Sequence, residues 1–135
     1  MTKKKSNNIQ TAGKRKRSVA RAVLKPGKGI IRVNKMLIHT FGNSLSRARI
    51  HEPILLSGET AKKVDIDVRV EGGGWQGQAG AIRLAIARAL TEFDSKLKKV
   101  FLAYDRNLLV ADVRRKETCK PNKSKARAKR QKSYR

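Results

Sequence analysis

The chain has 135 residues, and its 34 Lys and Arg against 10 Asp and Glu leave a formal charge of +24. That balance points to polyanionic partners, and the length allows one domain with tails rather than two. No apolar run approaches the ~20 residues that span a bilayer, the N-terminus has no hydrophobic signal core, and Cys119, the only cysteine, allows neither an internal disulfide nor a Cys-based metal site.

A reducing cytosolic setting is therefore expected, with no membrane partner, no cofactor and no metal. The charge is unevenly spread. Residues 1–17 hold seven bases and no acid, residues 114–135 hold eleven bases and one acid, and the stretch between holds sixteen bases and nine acids. Two basic arms are thus expected around a body of ordinary composition, divided as a disordered arm at 1–8, a globular α/β body at 9–112 and an extended tail at 113–135. A body of this size can bury a modest but sufficient core.

In chain order, Ile9 to Thr11 begin a strand, and Lys14, Arg15, Lys16 and Arg17 follow as a run suited to phosphate contact. In SVARAVLK, Val19 and Val23 alternate with Ala20, Ala22 and Leu24, and the turn signal Pro26 to Gly29 closes the strand. Ile30 to Asn34 is expected to return as its hairpin partner, and Asn34-Lys35 turns again before MLIH. Asn43 or Ser44 can cap a helix LSRARIHEPILL, which Pro53 bends or ends and Ser57-Gly58 closes.

The stretch from Val64 to Phe93 organises the rest. Val64, Ile66, Val68 and Val70 alternate with Asp65, Asp67, Arg69 and Glu71, which reads as a strand with one buried face. Three glycines follow, Gly72, Gly73 and Gly74. From Ala79 the period becomes helical, with Ile82, Ile86, Leu90 and Phe93 in one stripe beside Ala85 and Ala89. Gly72, Gly74 and Gly77 match the dinucleotide-binding spacing, and Glu92 lies twenty positions past Gly72. The context does not follow: the strand alternates with charges where doubly wound sheets use near-continuous apolar strands, and Glu92 falls within the helix. A third helix is suggested by Leu97, Phe101 and Tyr104, with Asp94 or Ser95 as cap, and YDRNLLVAD suggests a short edge strand.

Few constellations suit catalysis. Asp65 and Asp67 stand about 7 Å apart on one strand face, but pairing with neighbouring arginines is the simpler expectation. His39 and His51 have no helix-spaced ligand partner, and the common phosphate-loop and hydrolase motifs are missing. Aromatics make up only 4% of the chain, which argues against a run of stacked bases and toward grip on phosphates and folded RNA shape.

GGGWQGQAGAIRLAIARAL (Gly72 to Leu90) resembles the signature of the universal small-subunit ribosomal protein S-nine family. The likeness extends from GKRKRSVARA through VDIDVRV and YDRNLLVADVRR to the closing RAKRQKSYR, and its ending resembles the archaeal and eukaryotic cytosolic branch. One departure is Val113, where the family usually has proline after the aspartate. The resemblance implies an α/β (α+β) two-layer sandwich: a mixed sheet of about four strands, two to three helices, a left-handed β-α-β crossover and an extended basic C-terminal tail. It implies a structural, non-enzymatic place in the head of the small ribosomal subunit, in the cytoplasm, among neighbouring ribosomal proteins and without self-association. The implied partners are small-subunit rRNA and, through the tail, the peptidyl-site tRNA. Mapped onto this chain, the terminal contact falls to Arg135, with Lys129, Arg130, Lys132 and Tyr134 close by.

Residue chemistry assigns the rRNA contacts to Lys14, Arg15, Lys16, Arg17, Arg21, Arg83, Arg114, Arg115 and Lys116, and to the glycine turn with Gln76 and Gln78 at the helix mouth. Backbone N–H groups at Gly72 to Gly74 could receive a phosphate, or the same glycines could simply permit close packing. The 22 residues from Arg114 could span roughly 70 Å if extended. Two other classes fit the sequence less well. The bacterial ribonuclease P protein would need an Arg-rich helix that Arg106-Asn107-Leu108 does not provide, and a generic polycation gives no reason for the ordered Val64 to Phe93 unit.

Overall fold

The alternating stretch forms β5 (Val64–Glu71), whose Val64, Ile66, Val68 and Val70 are buried while Asp67, Arg69 and Glu71 are exposed. β5 is the middle strand of one mixed sheet in the computed structural model, which describes residues 8–122, 125–129 and 131–135. The order is β1-β2-β5-β3-β4, with β1 at Ile9–Arg15, β2 at Ser18–Pro26, β3 at Ile31–Val33 and β4 at Met36–Leu37. Five strands stand where about four were expected. β2 lies antiparallel to both β1 and β5, whereas β3 runs parallel to β5.

This topology corrects the expectation that Ile30 to Asn34 pairs back on β2. β5 inserts between them, matching β2 from Val19↔Glu71 to Pro26↔Val64. The Pro-Gly segment does turn, but it carries the chain over the end of β5. Asp65 holds it there, its Oδ1 accepting the backbone N–H groups of Lys28 (2.8 Å) and Ile30 (2.9 Å). Gly27 is required beneath that carboxylate, because a Cβ would sit 2.1 Å from Asp65 Cγ. The second turn forms as read: Asn34 and Lys35 both take positive φ (48° and 69°), joining β3 to β4. β4 lasts two residues before the chain tightens into a 3₁₀ turn at Ile38–Thr40.

β3 and β5 are parallel neighbours joined through α1 (Ser44–Ser57). The Asn43 side chain caps α1 by accepting from the Ser46 N–H at 2.8 Å, and Gly58, with φ 53°, closes it. Pro53 does not end the helix, which continues to Ser57.

α2 begins at Trp75, a turn earlier than the periodicity from Ala79 suggested, and runs to Phe93. Its buried set is wider than one stripe, including Ala81, Leu84 and Ala87 as well as Ile82, Ile86 and Leu90, whereas Phe93 is exposed. The cause is position: α2 lies across β1 and β2 and is covered in turn by α1, and a helix buried on several sides is apolar on several sides. Small residues let it approach the sheet. A Cβ on Gly13 of β1 would stand 2.2 Å from the Ala81 carbonyl oxygen.

α3 (Leu97–Tyr104) buries Leu97 and Phe101 but leaves Tyr104 exposed. Lys96 stands at the formal N-cap without a side-chain bond of its own, and Asp94, one of the two expected caps, accepts the Lys96 backbone N–H through Oδ1 at 3.0 Å. YDRNLLVAD does not form an edge strand. It makes a 3₁₀ turn at Arg106–Leu108, capped by Asp105, and Leu108 inserts into the core. Arg88 then ties the following segment to β1, donating from Nε to the Leu109 carbonyl (3.1 Å) and from Nη1 to the Ala12 carbonyl (2.8 Å). Helices thus cover one face of the sheet, and the face carrying Arg21, Arg32 and Arg69 is open. No helix among the described residues is long and apolar enough to cross a membrane.

Candidate nucleic-acid interface

Three chain segments meet at one end of the sheet. The first is the two-residue turn Lys16–Arg17 between β1 and β2, where Lys16 takes a left-handed φ of 54°. A lysine in that conformation costs roughly 1 kcal/mol, and it projects two adjacent cations from a rigid hairpin. The second is the glycine turn leading from β5 into α2. The third is the start of the C-terminal tail.

Ser18, fully buried, holds the glycine turn in place. Its Oγ donates to the Gly72 carbonyl at 2.9 Å, and Gln78 Nε2 reaches the same oxygen at 3.2 Å. Gly72 and Gly73 have positive φ (76° and 66°). A Cβ on Gly72 would lie 2.8 Å from the Arg17 carbonyl oxygen, and one on Gly73 would lie 2.2 Å from Ser18 Oγ. Gly74 differs: its φ is −95°, and a Cβ there would meet nothing within 4 Å. The two readings of the glycines therefore divide by residue. Gly72 and Gly73 serve close approach, and Gly74 leaves open space before α2, whose first turn no side chain caps.

The tail is fastened where it leaves the body. Asp112 accepts a forked pair from Arg114 (Nε 3.0 Å, Nη2 2.7 Å) together with the Arg114 backbone N–H (2.9 Å), and Arg15 approaches it at 3.2 Å. The Arg114 side chain, then its backbone N–H, hold the Asp112 carboxyl well below the usual carboxylate range. Arg115 Nη1 donates to the Lys16 carbonyl at 2.5 Å, tying the tail to the β1–β2 turn.

These contacts enclose a cleft of about 740 Å³ lined by Lys16, Arg17, Gly73, Gly74, Trp75, Gln76, Gly77, Arg114, Arg115 and Lys116. Five cations line it and no acid does. A smaller cleft of about 260 Å³ adjoins it through Gln76 and Arg114 and includes Lys14, Arg15, Arg49 and Arg83.

Two sequence-selected cations are paired with acids of the body. Arg21 lies on the open sheet face, 3.0 Å from Glu71. Arg83 is 18% exposed and bridges Glu52 (2.5 Å) and Asp105 (2.9 Å), so it braces α2 against α1 and the segment after α3. In the tail, Lys129, Lys132, Tyr134 and Arg135 are exposed, and Arg130 lies outside the described residues, as does the arm at 1–7. No helix or strand is formed beyond Leu108 among the described residues, where Arg127 pairs with Glu117 at 2.5 Å.

The acidic pair also separates. Asp67 approaches Arg32 at 3.7 Å, as expected of a cross-strand ion pair, but Asp65 serves the loop and meets no arginine closely. Hydrogen bonds from Ile30 and Lys28 lower its pKa. His39 and His51, far apart in sequence pattern, bring their rings to 5.6 Å; burial and then the neighbouring His39 lower the His51 pKa. Among the described residues no three His, Cys, Asp or Glu side chains group as metal ligands.

Sequence reading missed Ser18, Arg49, Trp75 and Asp112. Only Trp75 carried a signal, as a lone large aromatic beside glycines.

A family model described as Ribosomal protein S9/S16 matches residues 13–135. The chain is 47% identical over 129 residues to the Small ribosomal subunit protein uS9 of Pyrobaculum aerophilum, covering 94% of this chain and 91% of that one. It is 46% identical over 131 residues to the protein of the same name from Methanococcus maripaludis, covering 94% and 98%. The chain belongs to the ribosomal protein S9/S16 family. It is thus a structural constituent of the ribosome, in the cytoplasm, and not an enzyme.

Proposed function

We propose that the chain is built into the head of the small ribosomal subunit, where the cleft at the mouth of α2 holds rRNA phosphates and the C-terminal tail reaches the peptidyl-site tRNA. The cleft carries this reading. Lys16, Arg17, Arg115 and Lys116 surround an uncapped helix start, and both cationic side chains and free helix N–H groups favour a phosphate. Arg114 contributes less net charge because Asp112 already neutralises it. Lys14 and Arg15 extend the same basic edge, and Arg21 offers a separate contact across the open sheet.

The tail supplies reach. Its exposed Lys129, Lys132, Tyr134 and Arg135 can order as phosphates replace counterions. The planar fork of Arg135 can grip a phosphate at two points.

A two-arm experiment separates body from tail. Lys16→Glu with Lys116→Glu should weaken rRNA binding by the isolated chain while leaving its thermal unfolding unchanged. Removal of Ser133 to Arg135 should leave subunit assembly intact and weaken peptidyl-site tRNA binding. Unaltered rRNA affinity in the first arm, or unaltered tRNA affinity in the second, contradicts the corresponding half.

A further inference from the structure

We infer that Trp75 is a stacking platform for one unpaired base of the bound RNA, a reading that rests on the proposed rRNA binding and adds a base contact to it. Trp75 is the only tryptophan in the chain, yet 47% of it is exposed. A side chain of that size normally contributes to the core; here the first residue of α2 holds it on the wall of the cationic cleft. The open space at Gly74 lies beside it.

Charge decides what can cover the ring. An apolar protein segment laid on Trp75 would also have to desolvate Lys16, Arg17, Arg115 and Lys116, with no acid in the cleft to offset them. A nucleotide meets both demands, placing its base on the indole and its phosphate among the cations. The cleft's 740 Å³ falls within the ~300–1,000 Å³ of small-ligand sites, which suits one or two nucleotides. The base must be unpaired, because in a helix its faces are taken by its neighbours. Aromatics are scarce elsewhere in the chain, so the inference concerns one base and not a stacked run.

The lone indole makes the test direct. The intact chain is titrated at low salt with single-stranded oligoadenylate and with duplex RNA of equal phosphate number, following tryptophan emission and, independently, binding by anisotropy of labelled RNA. Single strands should quench Trp75 strongly and duplex should not. Trp75→Ala should lose about tenfold in single-strand affinity, Trp75→Phe should retain most of it, and neither should change the salt dependence. Saturable, salt-sensitive binding with unchanged emission and wild-type affinity in Trp75→Ala would overturn the stacking while leaving the phosphate reading intact. Failure to bind either RNA would overturn both. If RNA left emission unchanged but other small-subunit proteins shifted it to the blue, the ring would belong to a protein contact and the inference would fall.

Discussion

Gly73 and Gly74 are adjacent and chemically identical, yet their surroundings assign them different work. Gly73 combines φ 66° with contact against Ser18, so Gly73→Ala must pay for left-handed backbone and for displacing a buried hydroxyl. A loss of about 2 kcal/mol or more is expected, readable in chemical denaturation. Gly74 has ordinary backbone and free space. Gly74→Asp adds an N-cap and a favourable charge at the helix start, so stability should hold or rise by a few tenths of a kcal/mol. The same carboxylate occupies the N–H groups that a phosphate would use, so rRNA affinity should fall. Equal stability losses at both positions would show that the glycine turn is packing alone.

Asp112 sets a second residue-scale expectation, through pH. Its folded pKa is depressed, by Arg114 first. The clamp therefore contributes stability at every pH above the unfolded aspartate value of about 3.9 and loses it as pH falls toward the folded value. Titration of the Asp112 carboxyl carbon by NMR should place its midpoint well below 3.9. A midpoint at or above that value would mean the clamp to Arg114 is not held in solution.

At the scale of elements, β1 and α2 are joined by absence of bulk. Thr11 Oγ1 donates to the Ala85 carbonyl at 2.8 Å, and Gly13 faces the Ala81 carbonyl directly. Gly13→Ala should force the strand from the helix at a cost of roughly 1–3 kcal/mol, measured as a lowered Tm. A variant as stable as the parent would mean that the two elements have room to separate. Gly13 borders the hairpin that carries Lys16 and Arg17, so such a displacement would also disturb the cleft.

Elements with a local cause were legible from sequence. The alternation in β5 needed only period two, the Asn34-Lys35 turn needed left-handed residues, and α1 needed Asn43 and Gly58. Pairing across distance was not legible. A Pro-Gly turn between apolar runs specifies reversal, but nothing near it announces that β5 inserts between β2 and β3, or that Asp65, 35 residues beyond Ile30, holds the loop. The cleft divides in the same way. Its cations were visible as charge runs, whereas the clamp at Asp112, the tie from Arg115 to Lys16 and the internal role of Arg83 all depend on tertiary proximity. Arg83 shows the limit: in sequence it is one more exposed base on a helix, and in the fold it sits between two carboxylates.

At the scale of the whole molecule, net charge is not spread as a uniform coat. The body neutralises many of its own bases, as at Arg21–Glu71, Arg32–Asp67 and Arg83–Glu52. The cleft keeps five bases without an acid on its lining, apart from Asp112 behind Arg114. The covered sheet makes a rigid base from which the hairpin, the helix mouth and the tail present their charges together. A scaffold of this kind binds by phosphate neutralisation, and its affinity must therefore respond to salt. The most direct measurement is the affinity of the intact chain for a small-subunit rRNA fragment between 50 and 200 mM salt. If some six to ten phosphates are neutralised, affinity should fall by about 10³ or more across that range; an affinity that stays flat would contradict the account.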